Sequence, residues 1–293
     1  MRRRALILLL LPPLFWAGNA LLARATAGEL PPVALAFWRW ALALALILPF
    51  TGRDLWAHRH VLRAHGGAVL GLAFTSVTAY NTLLYLAVQT TTAINATLVG
   101  TALPVMVLLL ARVWLKDPIV PRQMVGMALS LLGLLAVITR GDPARLATLT
   151  LTPGDGLMML ASASWATYSV MLRRFPIPVR GFTLLTALIV VGWLMIAPFY
   201  LLELALGHGM HARPLDLAVI AYTAVCASLL AYYFWNLGVA TVGAPTAGLY
   251  ANLIPLFTAI LGVALLGETF AWFHAAGAAL IFAGLALATW PRR

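Results

Sequence analysis

Charge is what this 293-residue sequence has least of: Asp, Glu, Lys and Arg together make up 9%, against 63% hydrophobic residues. Soluble domains are nearer a quarter charged and half apolar. A folded chain of this length cannot hide so much apolar surface from water, because much of any folded surface faces outward. A cytosolic enzyme, a secreted domain and a disordered chain are thereby excluded, and the solvent must be lipid. Cysteine is nearly absent too. Cys226 stands alone in an apolar run, so there is neither an intrachain disulfide nor a Cys-rich metal site. Acids are scarce: Glu29, Asp54, Asp117, Asp142, Asp155, Glu203, Asp216 and Glu268 all fall in gaps or near the ends of apolar runs. The histidines, His58, His60, His65, His208, His211 and His274, do the same. Metal chemistry or hydrolysis at membrane depth needs such groups inside. The pattern therefore predicts no metal, no cofactor and no enzyme, and it argues against a carboxylate proton relay.

What is present is apolar sequence in long runs. A membrane helix needs about 20 mostly apolar residues, and ten such segments can be marked: 5–25, 33–51, 66–88, 93–115, 121–139, 154–172, 180–203, 215–237, 244–266 and 271–290. The first follows Arg2, Arg3 and Arg4 and precedes Ala25-Thr26-Ala27, which imitates a cleaved signal. Its length, and Pro12, Pro13, Trp16 and Asn19 within it, favour a retained span. Thr152-Pro153-Gly154-Asp155 offers an N-cap, a proline at the first helical position and an acid in the first turn.

The net charge of +11 could suggest nucleic acid, but the basic residues sit in short gaps and not on one face, so no nucleic-acid partner is expected. Topology explains them better. Fourteen of the 19 basic residues lie at the termini or in every second connection, four (Arg24, Arg140, Arg145, Arg213) on the other side, and Arg39 within a span. The positive-inside rule then makes both termini cytoplasmic.

The halves also resemble each other. Trp16, Arg24 and Pro49-Phe50 align with Trp165, Arg173 and Pro198-Phe199 at one offset; Leu98, Pro104, Gly126 and Gly133 align with Leu249, Pro255, Gly277 and Gly284 at a nearly identical one. Five spans is an odd number, so the second half must insert upside down. The expected architecture is an all-α polytopic membrane protein of ten transmembrane helices in two inverted five-helix repeats, 1–145 and 146–293. Such repeats characterise transporters that rock about a midplane site.

Polar and aromatic residues recur at helical spacing inside the spans. These are Trp16 and Asn19; Thr78, Asn81 and Tyr85; Ser162, Trp165, Tyr168 and Ser169; Ser228, Tyr232, Trp235 and Asn236; Thr246, Tyr250 and Asn252. If the stripes converge they line a neutral cavity with aromatic walls. Helix packing and interfacial belts are the competing explanation. The nominated solute-binding set is Trp16, Asn19, Thr78, Asn81, Tyr85, Trp165, Tyr168, Ser169, Tyr232, Trp235, Asn236 and Tyr250. Pro104 and Pro255 would kink corresponding helices as gates, and Pro12-Pro13 would bend the first span. Asn95 reads as a cap or rim residue. Arg39, in Phe37-Trp38-Arg39-Trp40, is expected to snorkel to the headgroups between two tryptophan anchors, the alternative being a hold on a substrate carboxylate.

The run Leu253-Ile254-Pro255-Leu256-Phe257-Thr258-Ala259, followed by Leu266-Gly267-Glu268, resembles the second-repeat signature of the drug/metabolite transporter superfamily, EamA type. The first repeat departs from it, with Lys116-Asp117 in place of the usual Gly-Glu. Among its branches the chain is most similar to the bacterial YddG-type exporters of aromatic and neutral amino acids. The resemblance implies a multi-pass protein of the bacterial inner membrane that exports amino acids or similar small metabolites by alternating access, with lipid and a small solute as partners and a monomer sufficient. Other solutes (quaternary-amine drugs, nucleotide sugars), a membrane enzyme using Asp54 and His58, and a non-transporting subunit remain the alternatives.

Overall fold

The computed structural model describes residues 2–26, 29–91, 93–147, 150–210, 213–266 and 271–290. Among them there is no β-strand. The helices are α1 (Arg2–Leu8), α2 (Leu11–Ala25), α3 (Pro32–Ala57), α4 (Arg59–Ala64), α5 (Gly66–Ala73), α6 (Asn81–Thr90), α7 (Ala93–Gly100), α8 (Ala102–Trp114), α9 (Pro121–Ile138), α10 (Pro153–Arg174), α11 (Gly181–Ala205), α12 (Pro214–Tyr222), α13 (Ala231–Val242), α14 (Ala244–Leu249), α15 (Leu253–Leu266) and α16 (Trp272–Thr289). Two π-helical segments, Phe74–Tyr80 and Thr223–Leu230, join α5 to α6 and α12 to α13. Eight helical stretches are long and apolar enough to cross a membrane. α8 is shorter, and α10, with three serines and two terminal arginines, packs between α6 and α8.

The exterior is unlike that of a water-soluble protein. Phe50 is 86% exposed, with Val113, Leu132 and Leu201 also turned outward, whereas Asn81, Ser169 and Thr186 are buried. An apolar exterior over a polar-containing interior is what a lipid solvent selects.

Prolines set the interruptions. The first helical stretch is broken at Leu9 and Leu10, just before Pro12 and Pro13, neither of which can donate to the preceding turn. α7 gives way to α8 at Thr101, three residues before Pro104. α14 gives way to α15 through a 3₁₀ turn at Tyr250–Asn252, three residues before Pro255. At the start of α10, Asp155 accepts the backbone N–H of Thr152 at 2.7 Å and the amide of Asn95 at 2.9 Å, which ties the α6–α7 turn to this helix.

Two antiparallel helix pairs carry the closest packing. On α9 and α16, a Cβ on Gly126 would fall 2.5 Å from the Gly284 carbonyl oxygen, and one on Gly133 2.6 Å from that of Gly277. Backbone meets backbone there, at a distance only glycine permits. On α3 and α11, the hydroxyls of Thr51 and Thr186 lie 2.8 Å apart, and the Phe37 ring stacks on Tyr200 with centroids 4.4 Å apart. At one end of this pair Glu203 accepts the N–H groups of Val33 (3.1 Å) and Ala34 (2.6 Å); at the other Asp54 accepts the hydroxyl of Thr183. Each helix thus ends on an acid that bonds the first turn of its partner. Several expectations concern residues outside those described, namely Gly267 and Glu268 of the second-repeat signature, Ala27, His211, Arg292 and Arg293.

Candidate functional site

A cavity of about 440 Å³ lies between the two halves of the chain. Its walls include Trp16 and Asn19 from α2, Tyr80 from the first π segment, Ser162 from α10, Thr91, Thr101, Asn252, and Pro255 and Thr258 from α15. Leu84, Leu103, Leu134 and Met158 supply apolar wall, and among the described residues no charged side chain is in the lining. About half of the lining residues sit toward the C-terminal ends of α2, α6 and α9 and the N-terminal end of α10, which places the cavity nearer that end of the bundle.

The two proline breaks meet this cavity. A proline has no N–H for the carbonyl four residues earlier, so Pro104 leaves Gly100, and Pro255 leaves Ala251, without that donor. Both Gly100 and Ala251 line the cavity. Beside Ala251, the amide nitrogen of Asn252 is buried, with no hydrogen-bond partner among the described residues.

Beneath the cavity the aromatic residues pack on one another. Trp165 is edge-on to Trp16 at 5.0 Å and to Tyr232 at 4.9 Å, and it touches Tyr80, Tyr168 and Trp235 at 4.7, 5.0 and 5.6 Å. Edge-to-face contacts of this kind add about 0.5–1.5 kcal/mol each beyond area burial. The polar edges are mostly used within the plug. Trp16 Nε1 donates to the Ala227 carbonyl, Trp235 Nε1 to Ser169 Oγ at 3.2 Å, and the Tyr168 hydroxyl to Asn236 at 2.6 Å, while Trp165 Nε1 has no partner among the described residues.

Arg39 corrects the sequence reading. It does not snorkel: it is 1% exposed, and its supposed anchor Trp40 is fully buried, 5.1 Å from the guanidinium carbon. Only Trp38 reaches the surface, where its Nε1 donates to the Tyr200 hydroxyl. The guanidinium instead donates to Ser228 Oγ (2.9 and 2.7 Å), Asn81 Oδ1 (2.9 Å) and the Tyr85 hydroxyl (2.6 Å). No carboxylate among the described residues forms an ion pair with it. The π segments build this pocket. Asn81 Nδ2 donates to the Ser76 carbonyl and Ser228 Oγ to the Thr223 carbonyl, each five residues back, which fixes both side chains for Arg39. Asn81 also donates to Tyr232, whose hydroxyl donates to the Ser76 carbonyl.

The nominated residues therefore separate into groups. Trp16, Asn19 and Pro255 line the cavity. Trp165, Tyr168, Ser169, Tyr232, Trp235 and Asn236 form the aromatic plug, and Asn81 and Tyr85 hold Arg39. Thr78 bonds the Gly192 carbonyl, Tyr250 is buried in the 3₁₀ turn, and Pro104 is buried in the first turn of α8. Tyr80, Thr91, Thr101 and Thr258 escaped nomination. Thr101 could have been found by counting three residues back from Pro104, as Asn252 stands from Pro255.

Ion pairs stand at both ends of the bundle. Arg173 meets Asp117 at 2.6 Å near the C-terminal ends of α8 and α10. Arg213, ahead of α12, meets Asp216 and Glu29, whose hydrogen bonds raise its pKa above the usual guanidine value. Asp54, which could have served a membrane enzyme, is engaged by Thr183 and lies 3.4 Å from His58.

A many-helix protein with an apolar exterior and an internal cavity has the architecture of a membrane transporter. The EamA-like transporter family model matches twice, over 3–139 and 152–290, and the chain belongs to that family. It is 29% identical to the uncharacterized transporter YyaM of Bacillus subtilis over 97% of this chain and 92% of that one, and 29% identical to an uncharacterized transporter of Archaeoglobus fulgidus over 99% and 98%. A protein of Brucella anthropi named riboflavin transporter is 30% identical over 56% of this chain and 53% of its own length. A solved crystal structure shares the fold, with a TM-score of 0.80 at 20% identity, covering 99% of this chain and 97% of that one.

Proposed function

We propose that this transporter exports aromatic and neutral amino acids, or similar small metabolites, from the cytoplasm across a bacterial inner membrane by alternating access. In this reading ten spans form two inverted five-helix repeats, 1–145 and 146–293, with both termini cytoplasmic. The nominated residues then have two roles: Trp16 and Asn19 meet the solute, and the aromatic plug with Asn81 and Tyr85 forms the closed floor on the terminal side. The observation that carries the substrate class is the cavity itself. Its volume of about 440 Å³ suits an amino acid, and it offers amide, hydroxyl and ring groups, with no charged residue among its described lining.

The reciprocal contacts support the inverted arrangement. Shifting Gly126 and Gly133 by the repeat offset gives Gly277 and Gly284, so the pair Gly126–Gly284 maps onto Gly277–Gly133. Thr51–Thr186 likewise maps onto Tyr200–Phe37, and Asp54–Thr183 onto Glu203–Ala34. Antiparallel helices that exchange equivalent contacts are related by a two-fold axis perpendicular to them, and in a membrane such an axis lies in the bilayer plane.

The test is counterflow into proteoliposomes with labelled threonine, methionine and phenylalanine, alongside a quaternary amine, a nucleotide sugar and riboflavin. Saturable movement of at least one amino acid is expected. Movement of another solute with no amino acid carried would sink the substrate assignment.

A further inference from the structure

Two polar features are left unexplained by packing. One is Arg39, a buried cation whose bonded partners are all neutral. Removing an ion from water costs several kcal/mol even after relaxation, and dipoles alone repay it poorly. An ionisable group held at membrane depth calls for a use. The other is Asn252, 1% exposed, in the cavity wall, with an amide nitrogen that has no hydrogen-bond partner among the described residues. A buried unsatisfied donor costs about 1–3 kcal/mol.

A relay connects the first feature to the cavity. A guanidinium can only donate. The Tyr85 oxygen therefore accepts from Arg39, and its own proton must go elsewhere. It goes to Asn19 Oδ1, 2.9 Å away. With Oδ1 so engaged, Asn19 presents its NH₂ group as the remaining polar end, and Asn19 lines the cavity. The fixed charge at one end of the relay thus dictates a donor at the other. The cavity wall carries two amides near this cation: that of Asn19, which opens into the cavity, and that of Asn252, whose nitrogen lies just behind the wall and must turn to reach a solute. Gly100 and Ala251 also line the cavity; the carbonyl of each lacks the donor four residues on that Pro104 and Pro255 cannot supply, and that of Ala251 accepts the Leu253 N–H with one lone pair left over.

We propose that the cavity binds its solute as an α-amino-acid zwitterion, with the carboxylate taken by the Asn19 amide and by that of Asn252 as it turns into the cavity, and the ammonium by the Gly100 carbonyl and the remaining lone pair of the Ala251 carbonyl. Arg39 is the positioning residue: through Tyr85 it fixes the orientation of Asn19, and its charge favours the anionic end. This deepens, and rests on, the reading of the cavity as the solute site. It also disfavours quaternary amines, which have no anionic end for the donors.

The experiment compares, in proteoliposomes, whichever of threonine, methionine and phenylalanine the wild-type protein moves fastest with the primary amide of the same amino acid. The amide keeps the side chain and ammonium but lacks the carboxylate charge. The wild type should prefer the acid by tenfold or more. Tyr85→Phe, which breaks the relay and keeps the cation, and Asn252→Ala should each cut that preference severalfold. Arg39→Met should abolish it and Arg39→Lys restore part of it. A wild type that moves acid and amide equally overturns the proposal while leaving amino-acid export intact. So does a Tyr85→Phe or Asn252→Ala protein, folded by its melting temperature, in which both compounds slow by the same factor. Absence of any amino-acid movement beside transport of another solute defeats the functional reading itself.

Discussion

Glu203 shows how far one side chain can act from its place in the sequence. It ends an apolar run, and the sequence gives no partner for it. In the fold it caps α3, whose own N-cap position is Pro31, a residue with no side-chain acceptor. A carboxylate on a helix N-terminus satisfies orphan N–H groups and complements the helix dipole. Glu203→Ala should therefore destabilise the protein by about 1–2 kcal/mol, and Glu203→Gln by less, since one acceptor remains. Thermal unfolding in detergent measures both, and an unchanged Glu203→Ala protein would refute the capping role. Arg39 teaches the opposite lesson. Its placement a turn or two inside a span, between two tryptophans, reads as snorkelling because local sequence shows depth but not direction. Only Ser228, Asn81 and Tyr85, from two other helical stretches, decide that it faces inward. Lys116 is a third case. Its φ of +57° lies in the left-handed region, which glycine adopts without strain, and glycine is the residue the family pattern carries there.

At the scale of helices, the prolines were readable and the π segments were not. Pro104 and Pro255 stand in apolar runs, and the absence of their N–H groups predicts a break in each. The widening of the turns at Phe74–Tyr80 and Thr223–Leu230 has no comparable local cause, since it depends on Asn81 and Ser228 bonding carbonyls five residues back while holding Arg39. Helix contact on α9 and α16 is legible only as a repeated glycine spacing. Gly133→Ala should cost about 1–3 kcal/mol, because its Cβ meets the Gly277 carbonyl oxygen at 2.6 Å and two backbones would have to separate. Gly156→Ala, on α10, meets nothing within 4 Å and should be neutral or stabilising by up to about 1 kcal/mol. Denaturation midpoints of the two variants in detergent give the comparison, and equal effects would contradict the packing argument.

For the whole molecule, the question is which end opens. The cavity lies toward one end, and beyond the aromatic plug the other end is held by Arg173–Asp117. If that pair fastens the closed end during transport, holding it shut should stop the cycle. The check uses a protein carrying Asp117→Cys, Arg173→Cys and Cys226→Ser, joined by a short bis-methanethiosulfonate. Counterflow should fall at least tenfold on cross-linking and recover on reduction; undiminished counterflow in the cross-linked protein would remove this end from the mechanism.

Composition alone settled that the solvent is lipid and that helices span it, because 63% hydrophobic residues in long runs leave no other way to satisfy the backbone. Helical spacing also marked which polar residues turn inward. It could not separate the few that touch the cavity, such as Asn19 and Asn252, from those that hold Arg39 or fill the plug. Periodicity reports the face of one helix, whereas a cavity is the space left between several, and that space is set only when the helices pack.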